Sequence, residues 1–260
     1  MKVNLHTHTF LCGHATGTPE EYIKRAIEND IKVLGFSEHA PFVFPDGFEF
    51  SYRVPMSRAE EYVETLKFLR EKYKDEIKIH IGFEIEYFPL YFKDMYKIVK
   101  ELGAEYLILG QHFIKNGYPD GCYVGMTQRP MSDLTEYVDC VIEAINTGVF
   151  TYIAHPDLIE ATSDMQLYRQ EMTRLCKEAK KCDIPLEINF YGIRDHRFYP
   201  FDEFWKIAGQ VGCKAVFGFD SHDTPSAFDE YSIPFAKEIV SKYGLILVEE
   251  PEIIPLPSRF

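Results

Sequence analysis

Short apolar runs alternate with longer amphipathic stretches from one end of this chain to the other, and nothing else restricts its architecture so strongly. Strands are expected at Lys2–His6, Lys32–Ser37, Ile77–Glu86, Tyr106–Gln111, Thr151–His155, Leu186–Phe190 and Lys214–Asp220. Helices are expected over Pro19–Asn29, Ser57–Lys74, Leu90–Leu102, Ser132–Thr147, Asp164–Lys181, Phe201–Val211 and Ser226–Tyr243. About seven β-α units in series bury both kinds of apolar surface when the strands lie parallel and the helices cover them. With 260 residues and 46% hydrophobic content, the chain can bury one large core, so an α/β barrel in a single domain over 1–260 is the expectation. No linker-like composition break interrupts it.

Charge narrows the partners. A formal net charge of -13 disfavours a surface that tracks nucleic-acid backbone, which needs clustered Lys and Arg, so no nucleic-acid partner is expected. Neither a leader-like start nor an apolar run of membrane-spanning length is visible, so a cytoplasmic protein without a membrane partner is expected. The six cysteines include no C-x-x-C pair and read as reduced thiols; Cys12 stands apart because it lies within a His-rich segment.

Three long irregular segments, Ala40–Met56, Phe113–Met131 and Tyr191–Pro200, each follow an expected strand. In a parallel barrel such connections gather at the carboxyl ends of the strands, where substrates bind. Seven of the nine histidines fall there as well: His6, His8, His14, His39, His112, His155 and His222, joined by Glu84 and Asp220. Any one of these alone reads better as a hydrogen-bonded structural residue, but histidines without a common role have no reason to line one rim. His6-Thr7-His8 and Asp220-Ser221-His222 each place two ligand groups on one side of a pleat. Nine nitrogen and oxygen donors suit three divalent ions of borderline or hard character, zinc, manganese or iron.

The wording around these residues resembles a known family. His6-Thr7-His8, Cys12-Gly13-His14-Ala15 and Gly35-Phe36-Ser37-Glu38-His39-Ala40-Pro41 are similar to the opening of phosphatases of the polymerase-and-histidinol-phosphatase (PHP) superfamily. Gly-x-Glu at Glu84, Gln-His at His112, His-Pro-Asp at His155 and Asp-Ser-His at Asp220 follow in the same order. The resemblance implies a distorted (β/α)7 TIM-like barrel carrying a trinuclear metal centre at the C-terminal strand ends. It places His6, His8, Glu84 and Asp220 on the first ion. Glu84 then bridges to a second ion held with His112 and His155, and His14, His39 and His222 hold the third. It also implies hydrolysis of L-histidinol phosphate in histidine biosynthesis by a hydroxide bridging two ions.

Three divalent ions against two carboxylates leave the centre at about +4, which favours a small-molecule phosphate ester despite the acidic exterior. Asn189, Arg194 and Arg197 are candidates for holding that substrate, since a guanidinium fork matches phosphate, and His196 is the candidate proton donor to the leaving group. Glu86 reads better as a buried partner than as a ligand, Glu38 as a partner of ligands, and His80 as structural. Phe42, Phe44, Phe48, Phe50 and Tyr52 either close over an organic group or plug the rim. Alternatives are a nucleotide, oligonucleotide or phosphotyrosine phosphoesterase and, from another reaction class, an amidohydrolase.

Overall fold

A computed structural model describes residues 1–257; the last three positions of the expected 1–260 domain lie outside them. The strands are β1 (Val3–Asn4), β2 (Val33–His39), β3 (Lys78–Ile85), β4 (Tyr106–Leu109), β5 (Leu186–Asn189), β6 (Lys214–Gly218) and β7 (Ile246–Leu247). The helices are α1 (Pro19–Glu28), α2 (Ala59–Lys72), α3 (Phe92–Glu101), α4 (Met131–Thr147), α5 (Met165–Lys181), α6 (Phe190–Arg194), α7 (Asp202–Val211) and α8 (Ser232–Tyr243). The fold is mixed α/β with a curled parallel sheet. One sheet runs β1-β2-β3-β4 and the other β5-β6-β7, every pairing parallel. Single parallel bridges join the two at Leu109–Ile153, Ile153–Leu186 and Thr7–Ser221.

Local chemistry explains the element boundaries. Thr18 and Glu21 form a reciprocal capping box at the start of α1, with Pro19 in the first turn. The expected strand Thr151–His155 is reduced to bridges at Ile153, because His155 turns to φ 29° and Pro156 follows. The expected helix Ser226–Tyr243 is broken into a 3₁₀ turn over Pro225–Phe228 and then α8. Between them the Asp229 carboxylate accepts from both Ser232 N and Ser232 Oγ, a local bond that starts α8 afresh. The segment Tyr191–Pro200, expected to be irregular, opens with the short helix α6, which Asn189 caps by accepting from Gly192 N at 3.1 Å.

The main core lies between sheet and helices, and a smaller cluster including Leu5, Tyr106, Ile108, Tyr152 and Val216 fills the space inside the curl. Asp157 ties α7 to this frame: its Oδ2 accepts from Phe201 N at 2.7 Å and Trp205 Nε1 at 3.0 Å. Burial pushes its carboxyl up to about 7. Asp157→Ala leaves two buried donors unmatched and is expected to cost about 2–4 kcal/mol in urea unfolding. The folded pKa lies above the ordinary 3.8, so the carboxyl's contribution is fully present below about 4 and is lost as pH rises through about 7. The deficit of the variant should therefore be larger at pH 4 than at pH 8; an equal deficit at both would contradict this account.

Candidate metal centre

Beyond β1 the chain stays extended through His6-Thr7-His8, because Thr7 bridges in parallel to Ser221. Both imidazoles leave on one side, their Nε2 atoms 3.2 Å apart. The same bridge draws in Asp220, whose Oδ1 lies 3.5 Å from His6 Nε2 and 3.3 Å from His8 Nε2. Asp220 and His155 both take positive φ, 47° and 29°, a backbone cost that the surrounding contacts must hold in place. His39 ends β2 in register with Glu84 on β3, which sets His39 Nδ1 3.0 Å from Glu84 Oε2.

Glu84 is the hub. Its Oε2 faces His6 Nε2 at 3.6 Å and His8 Nε2 at 3.5 Å, while Oε1 faces His155 Nε2 at 2.9 Å and His112 Nε2 at 3.5 Å. His14 and His222 meet through their Nε2 atoms at 2.9 Å on the outer side. All nine residues singled out in the sequence are thus brought together, in overlapping groups that could hold metal ions. Those groups are His6–His8–Glu84, His39–Glu84–His112, His14–His39–His222 and His6–His155–Asp220. Cys12 joins a further group with His8 and His222, although its thiol donates to Thr9 O at 3.1 Å and burial, with the Glu38 charge, pushes its pKa up.

The donor chemistry fits cations. Five ring Nδ1 atoms face oxygen acceptors: His6 to Glu187 at 2.7 Å, His8 to Glu38 at 3.1 Å, His112 to Glu86 at 3.2 Å, His14 to Cys12 O at 3.0 Å and His222 to Asp220 O at 3.1 Å. Such acceptors fix the proton on Nδ1 and leave Nε2 for a ligand. Pairs of Nε2 atoms about 3 Å apart then oppose lone pair to lone pair, close to the roughly 3.3 Å edge of a tetrahedron with Zn–N bonds near 2.0–2.1 Å. Among the described residues His155 Nδ1 and Asp220 Oδ1 are buried without a hydrogen-bond partner, and His39 Nδ1 and Glu84 Oε2, though 3.0 Å apart, do not meet at hydrogen-bonding angles.

Electrostatics agrees. Burial pushes the His6 imidazole down, but the charges of Glu187, Asp220 and Glu84 outweigh it and hold it well above its ordinary value. His8, likewise opposed by burial, is raised to about 9 by Asp220 and Glu38. Burial alone would raise Glu84 and Asp220; His112, His6 and His39 around the first, and His6, His222 and His8 around the second, bring both well below the carboxylate range. The carboxylates around His6 and His8 therefore favour positive charge on this floor, which is what a bound cation would bring.

Above this floor lies a cavity of about 530 Å³ walled by Tyr52, Phe113, Tyr123, Tyr191, Tyr199 and Arg197. Arg197 donates to Tyr191 Oη at 2.7 Å and lies 4.2 Å from that ring's centre. Arg194 is not among the lining residues: its guanidinium donates to Phe219 O at 2.6 Å and to Asp220 O at 2.5 Å, bracing the backbone behind the floor. Asn189 is also behind it, donating to Glu187 Oε2 at 2.8 Å and Asp220 Oδ2 at 3.0 Å. His196 is exposed and outside the lining, and His80 binds Glu105 at 3.1 Å near the start of β3.

Glu187 was missed in the sequence. It orients His6 and accepts from His155 N at 3.0 Å. The available signal was Leu186-Glu187-Ile188-Asn189, two polar residues on one face of an otherwise apolar strand. Two glycines make room for the carboxylates: a Cβ on Gly110 would collide with Glu84 Oε1, and one on Gly218 with Glu187 Oε1.

Comparisons with known proteins show what the chain is similar to. The chain is 26% identical over 258 residues to the histidinol-phosphatase of Lactococcus lactis, covering 94% of this chain and 91% of that one. It is 24% identical over 250 residues to the histidinol-phosphatase of Bacillus subtilis, covering 84% and 92%. A crystal structure of the Lactococcus lactis histidinol phosphate phosphatase, complexed with zinc, L-histidinol and phosphate, superposes with a TM-score of 0.71 at 21% identity, over 96% of this chain and 97% of that one. The PHP domain model matches residues 4–191, most of the length, and the chain belongs to the PHP domain family.

Proposed function

We propose that this chain is a metal-dependent phosphomonoesterase that hydrolyses L-histidinol phosphate to L-histidinol and phosphate in histidine biosynthesis. The observation that carries this reading is the convergence of ring nitrogens and unpartnered carboxylate oxygens on the floor of a ring-walled cavity with one arginine in its wall. The names of the relatives supply the substrate. We further infer a single cytoplasmic domain in which the parallel segments close as a distorted (β/α)7 barrel, with the centre at its C-terminal strand ends.

His6, His8, Glu84 and Asp220 would hold one ion, Glu84 with His112 and His155 a second, and His14, His39 and His222 a third. His39 also lies close enough to Glu84 and His112 to share the second. Zinc, manganese and iron all suit such donors. When bound, divalent cations acidify water enough to attack phosphorus near neutral pH and neutralise the phosphate oxygens. Glu187, Glu38 and Glu86 hold three of the imidazoles in orientation. Arg197 offers its fork to the phosphate, and the aromatic walls exclude water from the organic group. His196, the candidate donor, lies outside the cavity lining, and no donor to the leaving alcohol is assigned.

A second reading, an aromatic phosphate ester such as phosphotyrosine, draws on the same ring-lined walls. A substrate panel on protein of defined metal content separates them. Histidinol phosphate is expected to exceed phosphotyrosine, nucleotides and oligonucleotides by about 100-fold in kcat/KM, with amides inert. Chelation should abolish turnover and added divalent cation restore it. Equal or better turnover of the other esters would overturn the substrate; full activity in protein shown to be free of metal would overturn the centre.

A further inference from the structure

Glu86 lies just past β3 and its carboxylate is fully engaged. Oε2 accepts from Arg53 Nη2 at 2.6 Å, and Oε1 accepts from Tyr52 Oη at 2.9 Å and from His112 Nδ1 at 3.2 Å. Arg53 and Glu86 are only 2% and 1% exposed. Tyr52 and Arg53 belong to the long segment 40–56 that follows β2, so one carboxylate is shared between this loop and a member of the candidate centre. Arg53 also donates to Ala40 O at 3.3 Å, which joins the loop's two ends. Its guanidinium lies 5.4–5.6 Å from the ring centres of Phe50, Tyr52 and Phe88. Tyr52 in turn meets the His39 ring edge-on at 5.3 Å and forms part of the cavity wall.

Buried ion pairs contribute little net stability compared with apolar residues of similar size. A role in holding the fold alone therefore accounts poorly for this one. What Arg53 and Glu86 do that an apolar pair could not is present a fixed acceptor to His112 Nδ1–H. That bond turns His112 Nε2 toward Glu84 Oε1, 3.5 Å away. Were the loop to lift, Glu86 would lose the Arg53 and Tyr52 donors, and the acceptor that orients His112 would no longer be held.

We propose that Arg53 and Glu86 are positioning residues that couple the seating of loop 40–56 to cation affinity at the His39–Glu84–His112 group. The coupling rests on the metal-centre reading above but not on the identity of the substrate. Linkage makes it reciprocal: a seated loop strengthens cation binding, and a bound cation steadies the loop. Because Tyr52 is part of the cavity wall, the cation and that wall are ordered together.

Full-length protein stripped by chelation and titrated with zinc tests this by two readouts, chelator-competition affinities and amide hydrogen exchange of residues 42–54. In the unaltered protein, zinc is expected to slow exchange across the loop. Glu86→Gln should weaken one of the bound ions by about 10- to 100-fold while leaving the others unchanged, the size usual when a partner of a metal ligand is lost. In that variant, saturating zinc should no longer slow the loop. Arg53→Met should behave alike; if it fails to fold, Tyr52→Phe, which removes one hydroxyl, should still weaken the same ion. Loop exchange indifferent to zinc in the unaltered protein, or unchanged affinities in Glu86→Gln, overturns the coupling. Failure to turn over histidinol phosphate with the coupling intact overturns only the substrate, and failure to bind zinc at all overturns the centre together with this proposal.

Discussion

Glu84→Gln is expected to lower kcat/KM for histidinol phosphate by about 10⁴-fold, equivalent to roughly 5.5 kcal/mol of transition-state stabilisation. The size follows from position. Oε2 and Oε1 face different imidazoles, His6, His8 and His39 on one side and His112 and His155 on the other. Gln keeps the shape but removes the charge, and it must turn an NH₂ donor toward one of those sets. Metal content measured on the same preparation should fall with activity. Gly110→Ala reaches the same end without altering any donor, since its Cβ would occupy the place of Glu84 Oε1. A Glu84→Gln protein that kept full metal content and activity within tenfold of the parent would remove Glu84 from the centre of the mechanism.

Much of this centre was legible because its residues obey simple spacing. His6 and His8, and Asp220 and His222, sit two apart, and an extended backbone puts such pairs on one side. The strand-helix rhythm located β2 to β6 and most helices to within a few residues, since burial of apolar periodicity sets their existence. Boundaries failed where local side-chain chemistry intervened, as at Asp229 ahead of α8, or where Pro156 cut an extended run short. Partners across the fold were less visible. Glu38 and Glu86 were flagged because they neighbour ligands in the chain. Glu187 and Arg53 meet His6 and Glu86 across 181 and 33 residues, and no local pattern announces such a meeting. Sequence separated the arginines least well: Arg194 and Arg197 lie three apart, yet one braces the Asp220 backbone and the other lines the cavity.

That contrast sets the second large effect. Arg197→Met is expected to lower kcat/KM by about 10²- to 10³-fold, the usual cost of removing one preorganised donor to an oxyanion. Metal content should stay at the parent's level, because Arg197 bonds to Tyr191 and Asp195 and to none of the nine floor residues. Inhibition by inorganic phosphate should weaken as well, since product and substrate present the same oxygens. Arg197→Lys keeps the charge but not the planar fork or the stacking on Tyr191, so it should recover only part of the loss. If the arginine grips the phosphate equally before and during reaction, KM rises and kcat holds; if the grip tightens as charge moves onto the oxygens, kcat falls. Arg194→Met should behave differently, disturbing Asp220 through its backbone and lowering metal content along with activity. Identical outcomes for the two arginines, or an Arg197→Met protein with unaltered phosphate inhibition, would mean that the phosphate is held by the floor alone.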